Sequence, residues 1–185
     1  ESINYFNCHD NLILYDKLQI SLTDLENIDA YVKLALGLVL LSFGKPFLYE
    51  GNEFNHSKNN DRNSYNSPLF INAINWKEKE ENIEIFNYTK DLIALRKDIK
   101  VFNKINPVAI RESLSFMENI EESLIIYKIK ANDSYILVAI NASNESKFID
   151  NKNLRSFIGY HDFIIDNIFG KEGKSNSKVE DLVLD

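Results

Sequence analysis

The chain has 185 residues, 44% of them apolar, enough to fill one core or two small ones and too many for wholesale disorder. A formal charge of −7 with both signs interspersed argues against a nucleic-acid partner, and no basic stripe is available for anionic lipid. Cys8 is the only cysteine, which excludes an intrachain disulfide and slightly favours a cytoplasmic over a secreted setting.

No signal-peptide pattern opens at Glu1, and the longest apolar run, Leu34 to Phe43, is short for a bilayer and flanked by Lys33 and Lys45. No membrane partner is expected. Along the chain, residues 2–6 (SINYF) read as a short buried strand. Thr23-Asp24-Leu25-Glu26 has the form of a capping box, in which a hydroxyl and a carboxylate satisfy the free amides of a helix start. The run that follows, to Phe43, is apolar over most of its surface and predicts a helix buried between other elements. Gly44 suits its C-terminal cap, Pro46 blocks continuation, and PFLY reads as a second strand. Strand, helix, strand in that order predicts a parallel crossover.

Residues 50–80 are polar, asparagine-rich and long for a loop, a length that usually accompanies function or disorder. A helical period returns over 81–97, where Ile85 and Leu92, and Phe86 and Ile93, fall on shared faces. Beyond Lys104 the pattern changes. Residues 123–130 and 134–142 are rich in β-branched and aromatic side chains around an Ala131-Asn132-Asp133 turn, predicting a hairpin. Further strands are expected at 107–111, 113–117, 162–168 and 180–184. The domain boundary falls near Asn103 to Asn106.

Three clusters carry possible chemistry. His9-Asp10-Asn11 follows directly on the first predicted strand, and residues at the C-terminal ends of strands carry the chemistry in barrels of alternating strands and helices. A carboxylate accepts two sugar hydroxyls, an imidazole donates to another and an amide does both. A plain turn with Asp10 as a local cap is the alternative. After the second strand, Tyr49 reads as packing, and Glu53 as either a site carboxylate or a first-turn helix acid. In residues 63–76 (NSYNSPLFINAINW), Tyr65 and Trp76 offer faces on which sugars stack, although Trp76 also suits a packing anchor. His9, His56 and His161 lack zinc-ligand spacing, and no phosphate loop or serine elbow is present, so no cofactor and no metal are expected.

Four segments in register, INYFNCHDNLILYDKL, LLSFGKPFLYEGNEF, NSYNSPLFINAINW and FNYTKDLIALRKD, resemble the C-terminal part of type I pullulanases, debranching enzymes of the alpha-amylase superfamily of glycoside hydrolases. The resemblance covers residues 2 to about 102. It implies an α/β plus all-β fold. Residues 1–104 would be the last two β/α units of a (β/α)8 TIM barrel, and residues 105–185 an antiparallel β-sandwich domain. It assigns Asp10 to the third catalytic carboxylate, which binds hydroxyls at the cleavage subsite and favours an oxocarbenium-like ring, and His9 to its supporting histidine. Asn11, Asn63, Tyr65 and Asn66 match substrate-contacting positions, and Ser64 lies within that stretch. The sequence departs from the family at Phe43 (commonly Gln), Glu50 (a small residue), Asn52 (Gln), His56 (Arg) and Asn75 (Asp), with Glu50 and His56 expected on the cleft wall.

Retaining glycosidases pair a nucleophilic carboxylate with an acid/base carboxylate about 5 Å apart. The resemblance puts both on earlier barrel strands, upstream of Glu1. The expected activity is therefore hydrolysis of α-1,6 branch linkages in α-glucans by the whole enzyme and none by this portion alone. The expected partners are an α-glucan and either the missing N-terminal barrel portion or a second copy. A non-catalytic α-glucan-binding or accessory module is the alternative.

Overall fold

A computed structural model describes residues 2–23, 25–103, 106–131, 134–158 and 182–184. Strand β1 (Ile3–Asn4) lies parallel to β2 (Lys45–Pro46), with Ile3 opposite Lys45 and Asn4 opposite Pro46. Lys45 N–H donates to the Ser2 carbonyl (3.0 Å) and Phe47 N–H to that of Asn4 (2.9 Å). Between the strands run helices α1 (Leu14–Ser21) and α2 (Ile28–Leu40). The crossover expected from the sequence is therefore present. The first strand is not buried, however: Ile3 and Tyr5 are exposed, because the only described neighbour of β1 is the equally short β2.

Helix α2 starts later than its capping-box pattern suggests. Its N-cap is Asn27, without a side-chain cap bond, and Thr23 and Glu26 lie in the preceding turn. The last helical turn closes at Leu41, so Gly44 is not the cap. Gly44 has φ 110°, and a Cβ there would meet Ser2 Oγ at 2.4 Å and the Ser2 carbonyl oxygen at 2.9 Å. Glycine is needed where the chain passes tightly over β1 on its way into β2. That close passage also moves the second strand to 45–46, ahead of the FLY that was read into it.

Residues 50–80 are loop only in part. Two 3-10 turns (Asn52–Phe54 and Ser64–Asn66) and the short helices α3 (Leu69–Asn72) and α4 (Trp76–Glu81) lead into α5 (Ile83–Asp98). Val32, Leu36 and Leu40 of α2, Ile85 and Leu92 of α5, and Phe102 are buried, and α2 packs on α5. The Arg96 guanidinium locks the end of α2 in place. It donates to the carbonyls of Leu40 (2.5 Å), Ser42 (2.8 Å) and Gly44 (2.7 Å).

The chain divides into two units, Glu1–Asn103 and Lys104–Asp185. In the second, residues 107–111 are helical, not extended: α6 spans Pro107–Ser113. The Asn106 side chain caps it by accepting from Val108 N–H (2.9 Å), and proline at the first helical position is already set for helix. Strands β3 (Leu114–Phe116), β4 (Leu124–Ala131) and β5 (Ser134–Asn141) form an antiparallel sheet in that order, and β6 (Lys147–Ile149) pairs with β7 (Leu182–Leu184). Helix α7 (Asn151–Ile158) was not anticipated. Leu124, Ile126, Ile149, Leu154 and Ile158 form this unit's core. The strand expected at 162–168 lies outside the described residues.

Candidate functional site

The first unit holds all the candidate residues. Beyond β1 the chain is anchored by buried Asn7, whose Oδ1 accepts from Asn52 Nδ2 (2.8 Å), and by Lys17 Nζ, which donates to the Phe6 carbonyl (3.1 Å). Cys8 is half-buried, and His9 and Asp10 after it face solvent. His9 Nδ1 and Asp10 Oδ1 are 3.2 Å apart, with side chains 80% and 81% exposed. In so much water the pair contributes little stability. It is a polar corner exposed to solvent. Asn11 follows at φ 65°, and its own Oδ1 accepts from Leu12 N–H (2.8 Å), an asparagine turn that ends the segment before α1.

The segment after β2 runs inward. Gly51 has φ 88°, and a Cβ on it would lie 2.4 Å from that of His56. Asn52, Phe54, Asn55 and His56 are all buried. His56 was expected on a cleft wall. It is instead 2% exposed, with Nδ1 2.5 Å from Glu78 Oε2, because the glycine lets the chain fold back over it. Glu50 is exposed and Glu53 only partly so.

The third cluster sits on the 3-10 turn 64–66. Asn63 N–H donates to Asp61 Oδ1 (2.9 Å) and Ser67 Oγ to Asp61 Oδ2 (2.5 Å). Those two bonds hold the Asp61 carboxyl below its ordinary range, with the Ser67 hydroxyl the larger influence. Ser64 is buried, while Tyr65 between its neighbours is 81% exposed, and Asn63 and Asn66 also face solvent. Trp76 combines both readings of it: it is largely exposed, yet its ring packs against Phe54 at 6.1 Å between centroids. Leu69 and Phe70 add exposed apolar surface nearby in the chain.

His9 contacts Asp10, and Asn63 contacts Asp61; the two candidate clusters are organised by separate loops. The sequence reading passed over Asp16 and Lys58. Both are charged and buried, and both bond the segment between the clusters. Asp16 interrupts the apolar run LILYDKLQI, which is the one sign the sequence carries. Among the described residues no group of three or more His, Cys, Asp or Glu side chains is arranged to hold a metal, and no helix is long and apolar enough to cross a membrane.

A pullulanase of Bacillus subtilis (strain 168) is 33% identical to this chain over 154 residues, which is 79% of the chain. The solved structure of pullulanase type I from the same strain, complexed with maltose, superposes on 98% of the chain with a TM-score of 0.84 at 26% identity. This chain is related to the pullulanases. The pullulanase of Anoxybacillus sp. LM18-11, solved in complex with maltotetraose, matches 80% of the chain at 31% identity and a TM-score of 0.74. The chain spans 21% of the length of the curated Bacillus pullulanase, and 26% and 22% of the two solved pullulanase chains. No family model matches the chain.

Proposed function

We propose that this chain forms the C-terminal part of a pullulanase-like glycoside hydrolase that cleaves α-1,6-glucosidic branch linkages in α-glucans by a retaining mechanism. Residues 1–104 supply the last two β/α units of the catalytic barrel and residues 105–185 an antiparallel β-sandwich domain. The observation that carries this reading is the His9–Asp10 pair, 3.2 Å apart and open to solvent just beyond a parallel strand, in a chain similar to pullulanases.

In this reading Asp10 accepts hydroxyls of the sugar at the cleavage subsite. Its negative charge becomes more favourable as the ring acquires oxocarbenium character, so it stabilises the transition state more than the ground state. His9 Nδ1 orients the carboxylate from 3.2 Å. Asn11, Asn63, Tyr65 and Asn66 contact the substrate, with Tyr65 offering a face for stacking. The nucleophile and the acid/base come from a preceding barrel portion, the expected partner along with the glucan. Asp10→Asn in a protein that joins this chain to that portion should lower turnover on pullulan by about three orders of magnitude or more while leaving the fold intact. Turnover like that of the parent would remove the role of Asp10.

The accessory-module reading draws on the exposure of Tyr65 and Trp76, the two large aromatics of the polar loop. Titration calorimetry of the isolated chain with maltooligosaccharides separates the two. Tight binding without hydrolysis favours the module, and neither favours a portion of an enzyme.

A further inference from the structure

Two buried charges lie behind the exposed Tyr65 turn and face each other's segments. Asp16, in the first turn of α1, is 0% exposed. Its Oδ1 accepts from Ser57 Oγ (2.5 Å), and its Oδ2 from the backbone N–H of Lys58 (2.9 Å) and of Asn60 (3.1 Å). All three donors belong to one turn, in which Asn59 and Asn60 are both left-handed, with φ of 53° and 60°. Consecutive left-handed residues persist only where the surroundings fix them. Here the fixing group is a carboxylate from a helix more than forty residues earlier in the sequence.

Lys58 points the other way. Its buried Nζ donates to Tyr49 Oη (3.1 Å), Ser64 Oγ (3.4 Å) and Asn72 Oδ1 (3.3 Å). Asn72 in turn donates to the carbonyls of Ser64 (2.6 Å) and Ser67 (3.2 Å). Ser64 is thus held by its side chain and by its carbonyl, one residue before Tyr65. The turn has a rigid base and an unobstructed ring. A buried lysine amine is costly unless it is hydrogen-bonded, and its three acceptors here come from the segment after β2, the Tyr65 turn and α3.

We propose that Asp16 and Lys58 are positioning residues that fix the Tyr65 turn to the helix following the His9–Asp10 turn, and so set the affinity for glucan. The glucan part rests on the function proposed above. The brace preorganises an aromatic platform, which lowers the ordering cost on binding.

The test uses the full chain labelled with 3-fluorotyrosine, with the Tyr65 fluorine resonance assigned by its loss in Tyr65→Phe. Lys58→Met and Asp16→Asn should shift and broaden the Tyr65 line without ligand, while the Tyr88 line and the far-ultraviolet dichroism stay as in the parent. Maltotetraose affinity, measured by calorimetry on the protein that joins this chain to the preceding barrel portion, should fall about tenfold in each. Because Asp16→Asn risks unfolding the unit, Ser57→Ala, which removes a single donor, should give an intermediate shift. An unchanged Tyr65 line in folded Lys58→Met overturns the brace. A Tyr65 line that moves while the joined protein keeps its parent maltotetraose affinity overturns the glucan part and leaves the brace standing.

Discussion

Two side chains of the first unit carry opposite signs of pH dependence. The Asp61 carboxyl is lowered chiefly by the Ser67 hydroxyl and then by the Asn63 amide. The folded state therefore favours its charged form. The stabilisation is complete above the ordinary aspartate range and is lost as pH falls from there through the lowered value. Ser67→Ala should flatten the acid limb of a plot of urea midpoint against pH. Tyr88 behaves in the opposite way: burial raises its hydroxyl well above the usual tyrosine range, and that hydroxyl donates to the Lys33 carbonyl at 3.2 Å. Once pH climbs past the ordinary tyrosine range the unfolded chain ionises while the folded one does not, so stability falls there. Tyr88→Phe should remove that alkaline slope and cost about 1 kcal/mol at neutral pH. His9 and Asp10 differ from both. At 80% and 81% exposure their pairing contributes little to folding.

At the scale of elements, the join between α2 and β2 is the tightest piece of the first unit. Arg96→Leu leaves the carbonyls of Leu40, Ser42 and Gly44 without their donor and should cost about 3 kcal/mol in denaturant unfolding. Gly44→Ala combines a strained φ with a collision against Ser2. It should cost about 1–3 kcal/mol and loosen the β1–β2 pairing, visible as faster exchange of the Lys45 and Phe47 amides. The elements most legible in the sequence are those with a strong period. The β4–β5 hairpin follows its β-branched runs, and α5 follows the spacing of Ile85 and Leu92. Helix α6 was misread because the apolar residues of PVAI suggest a strand, whereas Asn106 and Pro107 decide the backbone by capping. Helix α1 was missed because LILYDKLQI carries no cap: its N-cap is Ile13, with no side-chain bond. The same distinction runs through the candidate site. The exposed positions of His9 and Asp10 after a strand, and of Tyr65 within a polar loop, follow from the sequence pattern. The buried positions of Asp16 and Lys58 do not, because only the folded chain brings residues 16 and 57–60 together.

Over the whole molecule, the β1–β2 pair is the most unusual feature. Parallel strands are ordinarily covered on both faces, yet Ile3, Tyr5, Phe6 and Phe47 surround this pair and are exposed. Open edges beside apolar side chains recruit further chain. Light scattering should show concentration-dependent association of the 185-residue chain, reduced by Ile3→Lys with Phe47→Lys. A monomer at every concentration would contradict the need for a barrel partner. The turns of the molecule share a further property. The sequence contains only six glycines. Every described non-glycine residue with positive φ is an asparagine: Asn11, Asn55, Asn59, Asn60 and Asn119. The amide side chain does here what a missing side chain does in glycine-rich proteins, so the glycine content understates how sharply this backbone bends. At Asn11 this separates two duties with a pair of substitutions. Asn11→Gly keeps the bend and deletes the amide, whereas Asn11→Ala disturbs both. Whatever the glycine variant alone loses toward a sugar belongs to the amide.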